Sequence, residues 1–243
     1  MTGLGAAVRF SLARLAHNPR FIVFALLMPE GFYLLYAQMY HASRAFAGTT
    51  WGAYFMVSMA AFGAIGTTLN VTGTQTALDR DQGWVRYLRA TPLNPAAYVL
   101  AQWVAAMTAS LGAVILIAAT AVGVSHVPVT TGLLAGAGAV WAASLVFAAI
   151  GMALAHILDA STIGFGTVVV YLGSGFLGGL WTPLAVLPPI FTTIARGLPS
   201  YRMADMAWQL VAGRAVPWAD PAILMLYAVA FGWMGGVLYG RRA

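Results

Sequence analysis

Long apolar stretches without charged residues dominate the chain, and short segments between them carry nearly all of its charged side chains. No charged residue occurs in 45–78, 90–158, 160–195 or 221–240, and a single glutamate interrupts the apolar stretch 21–43. A helix that crosses the hydrocarbon core of a membrane needs about 20 mainly apolar residues. The pattern therefore predicts six membrane-spanning helices.

Turn residues set the boundaries of the predicted spans. The Ser-His-Val-Pro run at 125–128 divides the longest charge-free stretch, because proline ends a preceding helix and polar residues tolerate water. Strands of membrane barrels are about ten residues long and alternate in polarity, unlike these runs. The sequence predicts an all-α integral membrane protein with a single domain over 1–243. Its six spans cover 20–42, 51–78, 96–123, 131–157, 161–181 and 219–240.

Composition supports a membrane protein and excludes several other classes. Hydrophobic residues make up 61% of the chain and charged residues 7%, whereas soluble domains have about 45–50% and about 25%. Cysteine is absent, which excludes disulfides and thiolate metal sites. In such an apolar chain, the net charge of +6 indicates arginines that flank spans rather than a nucleic-acid surface.

The distribution of arginine predicts the orientation. Positive residues accumulate in cytoplasmic loops, and placing both termini in the cytoplasm puts the larger group of arginines on that side. The cytoplasmic group contains Arg9, Arg14, Arg20, Arg80, Arg86, Arg89, Arg241 and Arg242. The opposite group contains Arg44, Arg196, Arg202 and Arg214. A multi-pass protein with both termini in the cytoplasm is expected.

Residues 4–16 have the pattern of an amphipathic helix. Leucine or valine recurs at positions 4, 8, 12 and 15, which lie on one helical face. Such a helix can lie in the cytoplasmic membrane interface, with Arg9 and Arg14 reaching lipid phosphates. A polar segment that simply leads into the first span is equally compatible. A cleaved signal peptide is disfavoured, because Glu30 lies inside the apolar region.

The segment between spans two and three has unusual chemistry. It reads Asp-Arg-Asp-Gln-Gly-Trp-Val-Arg-Tyr-Leu-Arg-Ala-Thr-Pro-Leu at 79–93, and it predicts a short amphipathic helix that begins at Trp84 and is stopped by Pro92. Arginine and aromatic residues are enriched at the energetic centres of interfaces. A loop that merely follows the positive-inside rule explains the arginines, but not the aspartates, the tryptophan or the glycine. The segment therefore favours a docking element for a soluble partner.

The same segment resembles the acidic-Arg-acidic-x-Gly…Leu…Thr-Pro-Leu segment of ABC-2 type transporter permeases. A second stretch is similar to the family's G-x-x-x-P…L-P…L-P-x-x-Y pattern before the last span. It comprises Gly-Gly-Leu-Trp-Thr-Pro-Leu at 178–184, Leu-Pro-Pro at 187–189 and Leu-Pro-Ser-Tyr at 198–201. The resemblance extends over nearly the whole chain. One departure is Arg86, where many members carry an acidic residue.

The resemblance implies a permease of a bacterial plasma membrane that exports a drug, lipid or glycan. Two copies, or one copy and a sister permease, would surround a central pathway within membrane lipid. A separate ABC ATPase would bind ATP and Mg²⁺, so that no cofactor, metal or nucleic acid is expected on this chain. Short re-entrant and surface helices are implied for 182–217. The coupling residues implied are Asp79, Arg80, Asp81, Gly83, Trp84, Arg86, Leu88, Arg89 and Pro92.

An external ATPase also agrees with the residues themselves. A P-loop requires a lysine that reaches the nucleotide phosphates. The chain contains no lysine at all. ATP-driven transport would therefore need another chain.

Polar residues inside the predicted spans are candidates for the transport pathway. Glu30 follows Pro29, which removes a helical hydrogen-bond donor, and an intramembrane carboxyl is costly unless it meets protein or water. The other candidates are Asn70, Thr74 and Gln75 on span two and Tyr171 and Ser174 on span five. Polar contacts between packed helices explain all of them equally well.

Two other functions stay open from the residues alone. An intramembrane serine protease could use Ser174, which stands between two glycines, but His156 lies at the far end of the preceding span. A secondary transporter could couple ions through Glu30 or Asp159, although the two halves of the chain show no clear repeat. No catalytic residue is predicted, and no histidine, aspartate and glutamate cluster has the spacing of metal ligands.

Overall fold

The computed structural model describes residues 21–83 and 95–242, and before them residues 5, 9, 11, 13–15, 17 and 18. The described residues between 5 and 15 are helical. Leu15, which belongs to the predicted apolar face, is buried, whereas Arg9 is exposed. The position of this N-terminal helix in a membrane interface stays a prediction.

The first long helix begins with a π-helical turn, Ile22–Leu27, and continues as α1, Met28–Met39. Pro29 lacks a backbone N–H and cannot donate to the carbonyl one turn earlier. The wider π-turn lies immediately before this proline, where the regular hydrogen-bond pattern is interrupted. The carbonyl that Pro29 leaves without its α-helical donor, that of Ala25, lies within this π-turn.

A small hairpin follows α1. Strand β1, Ala45–Phe46, pairs antiparallel with β2, Thr49–Thr50, so that Ala45 faces Thr50 and Phe46 faces Thr49. Ala47 and Gly48 both have positive φ, as a tight two-residue hairpin turn requires. The sequence predicted only a loop here, because four strand residues are too few to show a periodic pattern.

The second span occupies the centre of the bundle. It consists of α2, Trp51–Leu69, a π-turn, Asn70–Gln75, and α3, Thr76–Asp81. The side chain of Thr50 caps α2 by accepting a hydrogen bond from the backbone N–H of Ala53 at 3.3 Å. Nearly every residue of this span is buried by the surrounding helices.

The third and fourth spans are α4, Pro95–Gly123, and the pair α5, Thr131–Ala143, and α6, Leu145–Ile157. Ser144 joins α5 to α6, and its hydroxyl lies 2.8 Å from that of Ser110 on α4. The side chain of Thr130 accepts a hydrogen bond from Leu133 and caps α5.

The remaining elements are α7, Ile163–Leu177, a 3₁₀ turn, Leu184–Val186, α8, Pro189–Ala195, α9, Pro199–Val211, and α10, Ala219–Arg242. Within the described residues, four helices are long and apolar enough to cross a membrane. They cover Trp51–Asp81, Tyr98–Gly123, Thr131–Ile157 and Ala219–Val237. The apolar α7 is shorter. The all-α membrane class is confirmed, while the count of six spans stays a prediction.

The two ends of the bundle differ. We call the end that holds residues 79–83 and 158–162 the loop end, and the end that holds the β1–β2 hairpin the hairpin end. Aromatic side chains of α1 and α2 fill the hairpin half of the core, where the rings of Tyr36 and Phe55 stack with centroids 4.4 Å apart. The helix α9 packs across α5 and α2 at this end.

Close backbone contact joins α5 to α9. A Cβ atom added at Gly132 would lie 2.6 Å from the carbonyl oxygen of Leu210, and backbone atoms cannot move aside as a flexible side chain can. The equivalent atom at Gly138, on the same helix, would meet nothing within 4 Å.

Gly132→Ala is therefore expected to destabilise the protein by about 1–3 kcal/mol through overpacking. Gly138→Ala is the matched control and should change stability little. Unfolding of the detergent-solubilised variants, followed by tryptophan fluorescence, measures the difference. Equal stability of the two variants would show that α5 and α9 are not held at this distance.

Candidate functional site

The carboxylate of Asp79 lies at the centre of a buried polar cluster at the loop end. Three helices each contribute residues one turn apart, which places both members of each pair on one face. They are Ser11 and Arg14, Gln75 and Asp79, and Tyr98 and Gln102. We call these six residues the neck cluster, because they stand where the chain enters and leaves the loop between spans two and three.

Every partner of Asp79 in the neck cluster donates a hydrogen bond to it. Arg14 approaches both carboxylate oxygens, with its Nη2 3.1 Å from Oδ2. The Tyr98 hydroxyl and the Gln102 amide reach the same Oδ2 at 2.7 Å and 3.2 Å. Arg14 also donates to Gln75 at 2.9 Å. The Asp79 side chain is only 6% exposed, so its charge is balanced by the guanidinium rather than by water.

Arg80, the next residue of the same helix, binds a different neighbouring helix. Its guanidinium donates to the backbone carbonyls of Ala155 and Leu158, the latter at 2.9 Å. Both acceptors lie at the end of α6, where carbonyls lack helical partners and favour a cation. Asp79 and Arg80 therefore connect span two to its neighbours, a role that their sequence pattern did not indicate.

The remaining predicted coupling residues differ in accessibility. Asp81 is exposed at the end of α3, and Gly83 has a φ of +73° that ends the helix. The other members of the set, Trp84, Arg86, Leu88, Arg89 and Pro92, lie outside the described residues. The helix predicted to begin at Trp84 stays a prediction for the same reason.

The candidate pathway residues on span two are partly enclosed. Asn70 and Thr74 are half-buried, and the Thr74 hydroxyl lies 3.3 Å from that of Thr167 on α7. Gln75 belongs to the neck cluster. Threonines on the same span hydrogen-bond within their own helix, as Thr72 does to the carbonyl of Thr68. Much of the polarity predicted for this span is thus satisfied locally.

Span two and α7 are packed against each other. The Tyr171 ring stacks on Phe62 with centroids 4.0 Å apart, and a Cβ at Gly66 would lie 2.9 Å from that ring. Ser174 is buried one turn further along α7. In this conformation the candidate residues of the two helices form a packing interface.

Several buried polar side-chain atoms on the first two long helices lack hydrogen-bond partners among the described residues. They include two oxygens at candidate pathway positions, Oε2 of Glu30 and Oδ1 of Asn70. Buried acceptors usually have a partner, so these two positions can receive a polar group or water. In the described part of the chain, no group of three or more His, Asp or Glu side chains is arranged to hold a metal ion.

A buried ion pair at the hairpin end was not predicted. Arg202 on α9 donates from Nη1 to Oδ1 of Asp220 on α10 at 2.9 Å, and the Asp220 side chain is fully buried. Arg202 also donates to the carbonyl of Arg196 at 2.6 Å. The only sequence indication was a carboxylate at the start of an apolar helix, where the helix dipole favours it.

Long apolar helices around a central buried span define a multi-pass membrane protein of the helical-bundle class. Residues 2–211 match the ABC-2 type transporter family. The chain is also 27% identical over 223 residues, 90% of each protein, to "Putative transport permease YvfS" of Bacillus subtilis (strain 168). The chain belongs to the ABC-2 type transporter family. It is therefore a membrane permease of an ABC transporter, a transport subunit rather than an enzyme.

Proposed function

We propose that this permease exports a hydrophobic or amphipathic compound, such as a drug, lipid or glycan, driven by a separate ABC ATPase subunit. A second copy or a sister permease completes the pathway. The observation that carries the proposal is the family match over residues 2–211, which includes the loop between spans two and three. ATP and Mg²⁺ bind to the ATPase, since the chain has no lysine for a P-loop.

The ATPase docks on the loop end in this proposal. Asp81 and Gln82 are exposed at the end of α3, just before this loop. Trp84 and Leu88 provide apolar anchors, while Arg86 and Arg89 provide charge complementarity. Asp79 and Arg80 already bind other parts of the permease, so they act from behind the docking surface rather than on it.

The pathway in this proposal follows the first long helix, span two and α7. The unpartnered oxygens of Glu30 and Asn70 support it, because a passing polar group or water would find acceptors there. Export then requires span two and α7 to separate at Tyr171 and Ser174, which are packed in this conformation.

The proposed location is the plasma membrane of a bacterium, with both termini and the loop end in the cytoplasm. The count of arginines supports this orientation, with eight assigned to the cytoplasmic side and four to the opposite side. Arg14 and Arg80 of the larger group lie at the loop end, and Arg202 and Arg214 of the smaller group lie at the hairpin end.

The coupling role predicts a specific defect for Trp84→Ala. Removing a buried interface anchor typically costs about 2 kcal/mol or more of binding. The variant should therefore recover less ATPase in a pull-down at equal membrane abundance, and transport-stimulated ATP hydrolysis should be lost. Arg86→Ala is the comparison, with a smaller effect that grows with ionic strength, because rim charges act mainly through salt-sensitive association.

Equal ATPase recovery and stimulation with wild-type and Trp84→Ala permease would contradict the docking proposal. The same assay addresses the alternative of an ion-coupled secondary transporter. Transport that persists without the ATPase and stops when the ion gradient is dissipated would favour that alternative and exclude an ATP-driven mechanism.

A further inference from the structure

The neck cluster closes the base of the loop that connects spans two and three. Asp79 lies five residues before the undescribed residues 84–94, and Tyr98 lies four residues after them. The 2.7 Å hydrogen bond between their side chains joins the helix that leaves the bundle to the helix that re-enters it. Movement of the loop must therefore act on this contact before it reaches the rest of either span.

The N-terminal helix is joined to the same contact. Arg14 binds the Asp79 carboxylate with two nitrogens, and Ser11 lies 3.4 Å from the Gln102 side chain. Leu15, one residue further, belongs to the same buried apolar cluster as Ala25 of the first long helix and Val71 of span two. A displacement at Asp79 consequently reaches the N-terminal helix as well as span three.

A second connection leads from the loop to the turn between α6 and α7. Arg80 follows Asp79 directly and donates to two carbonyls at the end of α6. The two neighbouring side chains thus connect the end of span two to the N-terminal helix, α4 and α6. Asp79 accepts hydrogen bonds from three side chains and Arg80 donates to two backbone carbonyls, so both residues link the end of span two to these neighbouring helices.

We infer that Asp79 is a positioning residue for energy coupling. This role rests on the proposed ATPase-driven function. It fixes the base of the loop to the N-terminal helix and α4, so that displacement of the loop by the ATPase moves these helices together. Without the buried charge pair, the loop can move while the helices stay in place. ATP would then be hydrolysed with little transport.

The test measures transport per ATP hydrolysed with the complete permease and its ATPase in vesicles. Asp79→Asn keeps the size of the side chain but removes the charge that holds Arg14. We expect ATPase recovery in pull-downs to match wild type, and the ratio of transport to hydrolysis to fall roughly tenfold, which lies within the range typical of coupling between distant sites.

Asp205→Asn provides the matched control. It makes the same chemical change on α9 at the hairpin end, where the carboxylate accepts a hydrogen bond from Gln209 of its own helix at 3.0 Å. The ratio of transport to hydrolysis should stay at the wild-type value. Arg14→Gln should reproduce the Asp79→Asn defect, and the double variant should be no worse than either single variant, because both remove the same interaction.

A wild-type ratio in Asp79→Asn, or an equal loss in Asp205→Asn, would overturn the inference. If Asp79→Asn does not reach the membrane, Tyr98→Phe decides, because it removes only the 2.7 Å hydrogen bond and should lower the ratio partially. An unchanged ratio in Tyr98→Phe would then refute the role. Failure of the wild-type permease to recover any ATPase would instead refute the proposed function.

Discussion

Arg202→Ala is expected to lower the free energy of unfolding by about 3–5 kcal/mol, the cost typical of removing one partner from a buried ion pair. The Asp220 carboxylate has no exposed surface, and its Oδ2 has no hydrogen-bond partner among the described residues. Without the guanidinium, the carboxylate lies buried with neither a cation nor water. Arg202 also ties α9 to the carbonyl of Arg196, so the variant loosens the turn before α9. Thermal unfolding in detergent, followed by tryptophan fluorescence, measures the change.

Replacing the carboxylate rather than the guanidinium should lower the free energy of unfolding by less. In Asp220→Asn the amide oxygen still accepts a hydrogen bond, and the 15% exposed Arg202 can turn its charge toward solvent. Arg202→Met combined with Asp220→Leu should recover much of the lost stability, because a well-packed apolar pair can replace a buried ion pair. A loss below about 1 kcal/mol in Arg202→Ala, the value typical of exposed pairs, would contradict the assignment of this pair as buried.

Trp208→Ala is expected to destabilise the protein by about 3–5 kcal/mol, as large-to-small substitutions of buried aromatic residues do. The Trp208 indole stacks on Tyr54 with ring centroids 4.5 Å apart, and its N–H donates to the Tyr54 carbonyl at 3.2 Å. Trp208 therefore holds α9 against α2, the first helix of the central span. Denaturant titration of the purified variant gives the change in free energy.

Trp218→Ala is the control for this prediction, because Trp218 is 82% exposed and its removal leaves no cavity. Trp208→Phe should fall between the two, since it keeps the ring stacking but loses the hydrogen bond. Similar stabilities for Trp208→Ala and Trp218→Ala would mean that α9 contributes little to holding the helices together.

The boundaries of the long helices could be predicted well from the sequence. Helix α4 was expected at 96–123 and lies at Pro95–Gly123, and the fourth span was expected at 131–157 and lies at Thr131–Ile157. The physical reason is that the membrane excludes charge over a fixed thickness, which a single sequence records directly.

Contacts between spans could not be predicted in the same way. The sequence places Asp79 in a charged loop, yet its side chain is buried, because Arg14 approaches from a segment 65 residues earlier. Arg202 and Asp220 are likewise 18 residues apart in different elements. Such pairs depend on which helical faces meet, and hydropathy along the chain carries no information about that choice.

The π-turn at Asn70–Gln75 has a consequence for the neck cluster. A π-turn holds about one residue more than an α-helical turn, and one residue of α-helix corresponds to a rotation of about 100°. Had the whole span been α-helical, the Asp79 side chain would point about 100° away from its observed direction, off the face shared with Arg14 and Tyr98. Deleting one residue from this turn would therefore shorten the span slightly. It would also rotate all residues after the turn, including Asp79 and Arg80, by about 100° about the helix axis. The direction of the Asp79 side chain is therefore set by a local irregularity that ends about one turn earlier on the same helix.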